Sequence, residues 1–324
     1  MLYGHQIDIP LFRVIKLMVG GTTPLLTGQR KRLETKRALI SHAENLQEKS
    51  EGAKIRNSVK SKEGAQGLQL LENPAQRRLH WLHHISLTRH KMSDHSALLS
   101  QIPGIVHGFG DKQALLPEHL QSYEATCPGK KQVHGTRIVD VTVAGQECGE
   151  ADGFITAMPG ILLAVFTADC LPVIFCRKDG REVAAVHAGW RGLIDGILEQ
   201  MAQRINQSGD TSDWFVSVGP SAGACCYEVS QELIDTFLQR LDLPPALISP
   251  SHRHLDLVAI AEAKLRALGF AGVDRAGRCT ICSPDAAGTG FRYTSFRRNS
   301  HQRAQDPTHP GISGRNQQSG IMIL

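Results

Sequence analysis

Three short segments place side chains that can bind a metal or move a proton beside apolar runs. "KQVHG" carries His134, "TADCLP" carries Cys170 and "VHAGWRG" carries His187. Cys170 falls where a strand-type run meets Pro172. His187 falls where another run meets a glycine-flanked turn before a helix. In α/β sheets, ligands gather at strand ends. Two imidazoles and a thiolate form a donor set suited to catalytic zinc. A fourth position is left for a water whose pKa the ion lowers to about 7. Each residue alone has a plainer reading, as a solvated loop histidine or a cysteine packed as a small hydrophobe. "HAGWRG" shifts the balance. Its glycines admit close approach of backbone and ligand, amides at a helix start favour anions, and Arg191 can fork onto a phosphate. Gly189 and Arg191 are therefore candidate phosphate contacts. The second glycine-rich turn, "VGPSAGACCYEV", repeats that logic and adds Ser221. Asp169, next to Cys170, and Asp152, in "EADGF", are candidate acid/base carboxylates. Each reads equally well as a capping or turn residue.

The elements that must hold these residues read as alternating strands and helices. "GILLAVFTADC" (160–170), "LPVIFCR" (171–177) and "REVAAVHAG" (181–189) are strand-type runs, the last after a Lys-Asp-Gly turn. "GLIDGILEQMAQRINQSG" predicts one helix, with Leu193, Ile194, Ile197, Leu198, Met201 and Ile205 on a single face and Gly209 at its end. "DWFVSVGP" predicts a further strand. "SQELIDTFLQRL" and "DLVAIAEAKLRALGF" predict amphipathic helices, the second stopping near Gly269. The class is α/β, with a sheet covered on both faces. The Pro/Gly/polar stretch before Gly314 and Arg315 reads as a surface loop. Cys225 and Cys226 are adjacent, so they are expected to point apart and not to share a metal. Cys279 and Cys282 have no evident second ligand pair and read as packing or as a redox couple.

Bulk composition separates a leader from a body. Residues 1–91 hold 16 Lys/Arg against 7 Asp/Glu, whereas the remaining 233 hold 20 against 24. The overall charge of +5 thus belongs to the leader and does not argue for nucleic-acid binding. Residues 1–91 are expected to be a disordered extension or a start codon assigned too early. Leu33, Arg37, Ile40 and Glu44 fall at helical spacing within them, but the apolar stripe is thin. Residues 92–324 form the expected domain and contain all eight cysteines. No run of 18 apolar residues appears, and Arg13 and Lys16 interrupt the N-terminal apolar residues. The expectation is a cytoplasmic protein with reduced thiols, no membrane span and a monomeric or homodimeric state.

"QVHG", "TADCLPV", "HAGWRG", "GPSAGACCYEV" and "CTICSPD…FRYTSFRR…GR" together resemble the YfiH-type family. That family is also called the purine nucleoside phosphorylase or laccase-domain family, with an older label of multicopper polyphenol oxidase. The resemblance runs from about Ile105 to the C-terminus. It implies a layered α/β/β/α sandwich with mixed sheets and a zinc held by His134, Cys170 and His187, with copper as the alternative ion. It also implies phosphorolysis of adenosine, inosine, guanosine and methylthioadenosine with inorganic phosphate, and hydrolytic deamination of adenosine. One departure stands out. The family's Arg-x-Gly-Gly loop is missing between "HGFG" and "QVHG", leaving Lys112 as the nearest cation.

Other chemistries use the same side chains. A cysteine hydrolase or deamidase would take Cys170 as nucleophile and His187 as base. A copper oxidase would want a weak axial ligand, for which Met158 is the nearest methionine. A cytidine-deaminase-type site would need H-x-E and P-C-x-x-C. "HAE" (His42–Glu44) lies in the leader, and Arg278, not proline, precedes Cys279. A non-enzymatic partner protein of cell-wall growth or division is the remaining alternative.

Overall fold

Strands β7 (Leu171–Arg177) and β8 (Val183–Ala188) form the centre of the molecule. Their apolar runs are buried on both faces, with only Arg177 partly exposed among them. A turn closed by Gly180, at φ 72°, joins them as an antiparallel pair from Cys176↔Val183 to Leu171↔Ala188. The computed structural model describes residues 95–324. The leader, with its thin helical stripe, lies outside the described residues.

Around this pair a six-stranded sheet runs β10 (Gly272–Arg275), β9 (Trp214–Val218), β7, β8, β5 (Gly153–Thr156) and β3 (Ile138–Asp140). The outer pairs β10–β9 and β3–β5 are parallel and the inner ones antiparallel. A three-stranded sheet holds β1 (Ile105–Phe109), β11 (Gln317–Ile323) and β6 (Leu163–Thr167), all antiparallel. β2 (Gly129–Lys131) and β4 (Glu147–Glu150) make a small parallel pair.

Alternation along β7 divides the core. Val173 and Phe175 pack with helix α3 (Ile197–Ile205) and helix α6 (Leu257–Ala267), through Leu198, Met201, Ile260 and Leu265. Ile174 and Cys176 face the three-stranded sheet and meet Leu163, Val165 and Ile321. The far side of that sheet packs Ala164 and Met322 on Leu120 of helix α1 (Glu118–Gln121). The order is therefore helices, sheet, sheet, helix, the expected α/β/β/α sandwich. Each fully buried Leu or Ile contributes roughly 1.5–3 kcal/mol.

One expectation is corrected. The helix expected after His187 is two helices, α2 (Trp190–Asp195) and α3, because Gly196 adopts φ 96° and caps the first with its N–H on Gly192 O. All six apolar residues of the expected face are nevertheless buried. The expected surface loop before Gly314 and Arg315 is the stretch between helix α7 (Phe296–Gln305) and β11. α7 buries nothing, so it shows no apolar stripe. β11 opens with Gln317, Gln318 and Ser319, which are buried although polar. Helices α4 (Gln231–Arg240) and α5 (Pro245–Ile248) complete the helical layer.

His107 on β1 is buried, with its Nε2 accepting the Ser96 N–H at 3.0 Å. Burial, then repulsion from His95 and more weakly from His119, outweighs the attraction of Asp274 and lowers its pKa from 6.5 to about 4. The unfolded chain therefore takes a proton that the native state refuses. Stability present above pH 6.5 is lost as pH falls towards 4, by up to about 3 kcal/mol. Urea titrations across this window should show that slope in the wild type and a flatter one in His107→Gln.

Candidate metal centre

The strand register brings the three donor segments to one end of the six-stranded sheet. Leu171 pairs with Ala188, so Cys170 lies against Gly189. Gly153 pairs with Val186, so Asp152 lies beside His187, whose N–H donates to Asp152 O at 2.7 Å. β3 runs parallel to β5, which returns the "QVHG" loop to the same end. The result is a group of His134, Cys170 and His187 whose ligand atoms all lie within 4.8 Å of one another. The imidazole centroids are 4.8 Å apart at 73°. His134 is exposed, Cys170 half-buried and His187 buried, so the group opens to solvent on the His134 side.

Cys170 reaches this point because the chain changes sheets there. β6 belongs to the three-stranded sheet and β7 to the six-stranded one, and residues 168–170 cross between them. Asp169 makes the crossing at φ 94°, a region that non-glycine residues rarely adopt. Its carboxylate accepts from Thr280 Oγ1 at 2.6 Å, Ser295 Oγ at 3.0 Å and the Arg297 N–H at 2.7 Å. Its carbonyl accepts the Ala222 N–H. His134, at φ 61°, is the other site residue in this region.

Asp152 supports the opposite side. It is fully buried, and each of its oxygens serves two donors. Oδ1 accepts His187 Nδ1 at 2.7 Å and the His134 N–H at 3.0 Å. Oδ2 accepts the N–H groups of Val133 at 3.1 Å and Gly135 at 2.8 Å. Burial would push this carboxyl up, but the bonds from His187, Gly135 and Val133 hold it below its ordinary value. With Nδ1 committed to Asp152, His187 presents Nε2 to the centre, the carboxylate–histidine arrangement that orients metal ligands. Burial lowers the His187 pKa, but Asp152 and Cys170 outweigh it and raise it to about 9. Burial likewise pushes the Cys170 thiol up, and hydrogen bonds with His134 and His187 bring it down to about 7. A thiolate is the form that ligates a metal.

The remaining expected residues are dispersed around this group. Gly189 is a packing requirement. A Cβ there would come within 2.7 Å of His134 Cδ2 and 3.1 Å of Cys170 Sγ. Arg191 is exposed and lies over the Trp190 ring, 4.9 Å from its centroid. Ser221 is buried, and its carbonyl accepts the Thr280 N–H. Lys112 donates its N–H to Arg292 O. Met158 follows β5, whereas Asp152 precedes it, so the methionine lies past the far end of that strand. A cavity of about 490 Å³ is lined by residues including Gln113, Leu115, Phe166 and Gln318, and by none of the three donors.

Several residues that shape the site lie within the motifs that carry the resemblance but have types that point to no particular chemistry. Gln132 mimics a strand partner, exchanging Nε2–H···O and N–H···Oε1 bonds of 2.8 Å with the Phe166 backbone. Thr280 and Ser295 grip Asp169 from more than 100 positions away. Tyr227 lies near enough to Cys170 and Asp169 for both to help burial raise its pKa to about 12.

Two substitutions test this geometry. Gly189→Ala should displace His134 or Cys170 and leave purified protein depleted of the ion that both would hold. Asp152→Asn should weaken zinc affinity by about 10–100-fold, the usual effect of losing an orienting partner. Competition with a zinc chelator reads both.

A family model described as multi-copper polyphenol oxidoreductase laccase matches residues 111–304. Among curated proteins, the purine nucleoside phosphorylase of Xylella fastidiosa (strain Temecula1) is 35% identical over 179 residues, covering 52% of this chain and 66% of that protein. Purine nucleoside phosphorylase YfiH of Escherichia coli K12 is 34% identical over 171 residues, covering 52% and 67%. The chain thus spans about two thirds of the length of these relatives. Among solved structures, YlmD from Geobacillus stearothermophilus aligns with a TM-score of 0.56 at 25% identity, covering 70% of this chain and 94% of that one. Neisseria meningitidis protein NMB0706 aligns with a TM-score of 0.52 at 26% identity, covering 68% and 90%. The YfiH-type resemblance and its sandwich fold are borne out: the chain belongs to the multi-copper polyphenol oxidoreductase laccase family, whose matched region contains all three donors of the centre.

Proposed function

We propose that this chain is a zinc-dependent enzyme of purine nucleosides. It cleaves adenosine, inosine and methylthioadenosine with inorganic phosphate and deaminates adenosine with water. The observation that carries this reading is the convergence of His134, Cys170 and His187 within 4.8 Å, in a chain 34–35% identical to proteins named purine nucleoside phosphorylase. Two imidazoles, a thiol poised near neutrality and a carboxylate behind one imidazole suit zinc by donor type and by their supporting bonds. When bound, the ion supplies a Lewis acid with one position for water or substrate.

The chain's own residues do the remaining work. Asp152 fixes the tautomer and direction of His187 and shapes the loop that presents His134. Asp169, with three internal donors, holds the crossing that aims Cys170. Both carboxylates then contribute by positioning the donors. Arg191, one residue past Trp190 on α2, is the cation offered to phosphate. Gly189 admits the close contact of His134 and Cys170. Ser221 acts through the backbone that ties its loop to Thr280.

A cysteine hydrolase is the second reading, favoured by a Cys170 thiol held at about 7 between two imidazoles. Stoichiometric zinc excludes it, because a ligated thiolate is not free to attack. Copper oxidation has less support, since Met158 lies past the wrong end of β5 for an axial ligand. All eight cysteines are unpaired, in keeping with a reducing, cytoplasmic setting. Among the described residues no helix is long and apolar enough to cross a membrane.

The test is metal analysis of the purified full chain, with an adenosine assay run with and without phosphate. Inosine formed without phosphate reports deamination, and adenine formed only with phosphate reports phosphorolysis. A fully metallated sample that forms neither product would overturn the proposal. His134→Ala should lower kcat/KM for both reactions by more than about 100-fold, since loss of a mere orienting partner already costs about 10–100-fold.

A further inference from the structure

Four cysteines outside the candidate centre are not where the sequence reading put them. Cys225, Cys226, Cys279 and Cys282 form one group, their sulfurs all within 4.8 Å of one another. The Cys225 and Cys282 sulfurs are 3.7 Å apart. Four sulfurs bonded to one tetrahedral zinc at about 2.3 Å sit about 3.8 Å from each other. The group therefore needs contraction of at most about an ångström on its longest edges to close on an ion.

Adjacent cysteines can share a centre here because the chain is tightly turned. The Cys226 and Tyr227 N–H groups both bond back to Gly223 O at 3.0 Å. Gly223 packs closely at this turn, where a Cβ would sit 3.3 Å from Cys279 Cβ and 3.4 Å from Cys225 Sγ. The second loop is stitched to the first. Ser221 and Cys279 form a parallel bridge, Thr280 N–H donates to Ser221 O at 2.9 Å, and Gly223 N–H donates to Cys279 Sγ at 3.3 Å. Arg298 donates to Thr280 O and Ile281 O, inside the Cys279–Cys282 turn. That bond pair fixes the turn and sets a guanidinium near the sulfurs, where it offsets the excess negative charge of four thiolates on a divalent ion.

We propose that Cys225, Cys226, Cys279 and Cys282 form a second metal site, a closed tetrathiolate for zinc. Four protein sulfurs leave no vertex for solvent or substrate, so the site is structural. Thiolate donors in tetrahedral array select zinc over harder divalent ions. Its action reaches the first centre through two bonds. The Ala222 N–H holds Asp169 O, and Thr280 Oγ1 holds Asp169 Oδ1, each from one of the two clamped loops. The second ion thus fixes the wall against which Asp169 aims Cys170.

The experiment is zinc stoichiometry on the full-length chain purified under reducing conditions, for wild type, His134→Ala/His187→Ala and Cys282→Ser. The expected contents are two, one and one zinc per chain. If the His134 centre binds nothing, wild type should hold one zinc, retained in His134→Ala/His187→Ala and lost in Cys282→Ser, which separates the two readings. Cobalt loaded into His134→Ala/His187→Ala should give the intense visible bands and thiolate charge-transfer absorption of a tetrahedral tetrathiolate. This measurement keeps all four cysteines intact, so it decides the matter even if Cys282→Ser fails to fold. A zinc-free His134→Ala/His187→Ala variant lacking that cobalt spectrum would overturn the proposal, as would a Cys282→Ser variant that folds and keeps the wild-type zinc content.

Discussion

A carboxylate sealed from solvent at the end of a sheet is a liability unless its lone pairs are filled. Asp152 is in that position, and its four donors come from two places only: the His187 ring and the backbone of residues 133–135. The interaction therefore does two jobs at once. It pins an imidazole on β8, and it draws in a loop whose own hydrogen bonds would otherwise go to water. His134 sits in a left-handed conformation within that loop, at a cost of roughly 1–3 kcal/mol for a residue with a side chain. Charge-assisted bonds to Asp152 are strong enough to hold it there.

A second inward carboxylate mirrors the first. Asp169, like Asp152, fills its oxygens with protein donors, and unlike Asp152 it takes a left-handed backbone. It governs the point where the chain leaves one sheet for the other, which is the point that carries Cys170. Of the three non-glycine residues with positive φ among the described positions, His134 and Asp169 belong to this site and Arg253 does not. Rigidity at the centre thus comes from buried electrostatics, while the layered core supplies the platform on which the strand ends align.

Part of this was legible from residue order. The runs 171–177 and 181–189 are apolar enough to read as central strands, and their short turn forces Cys170 and His187 towards the same end. The donors themselves were recognisable because strand ends preceding glycines are where ligands bind. The partners were not. Asp152 and Asp169 read equally well as acid/base carboxylates and as turn or capping residues, because hydrogen-bond donors from distant segments carry no local periodicity. β11 escaped notice because Gln317, Gln318 and Ser319 are polar, and their burial is set by strands on either side. Gly196 hid within an apolar stripe that continues correctly through both helices. Adjacency of Cys225 and Cys226 does not send them apart, because the loop curls back on Gly223.

The central claim is that two histidines and a cysteine from three separate strand ends share one ion under the control of Asp152. Anomalous-difference density at the zinc absorption edge, measured on crystals of the native protein, examines it directly. The account expects a peak about 2.0–2.3 Å from a nitrogen of His134, the sulfur of Cys170 and Nε2 of His187, with Nδ1 of His187 still on Asp152. A fully zinc-loaded crystal with no peak at that point, or with one of the three side chains turned away from it, would contradict the account.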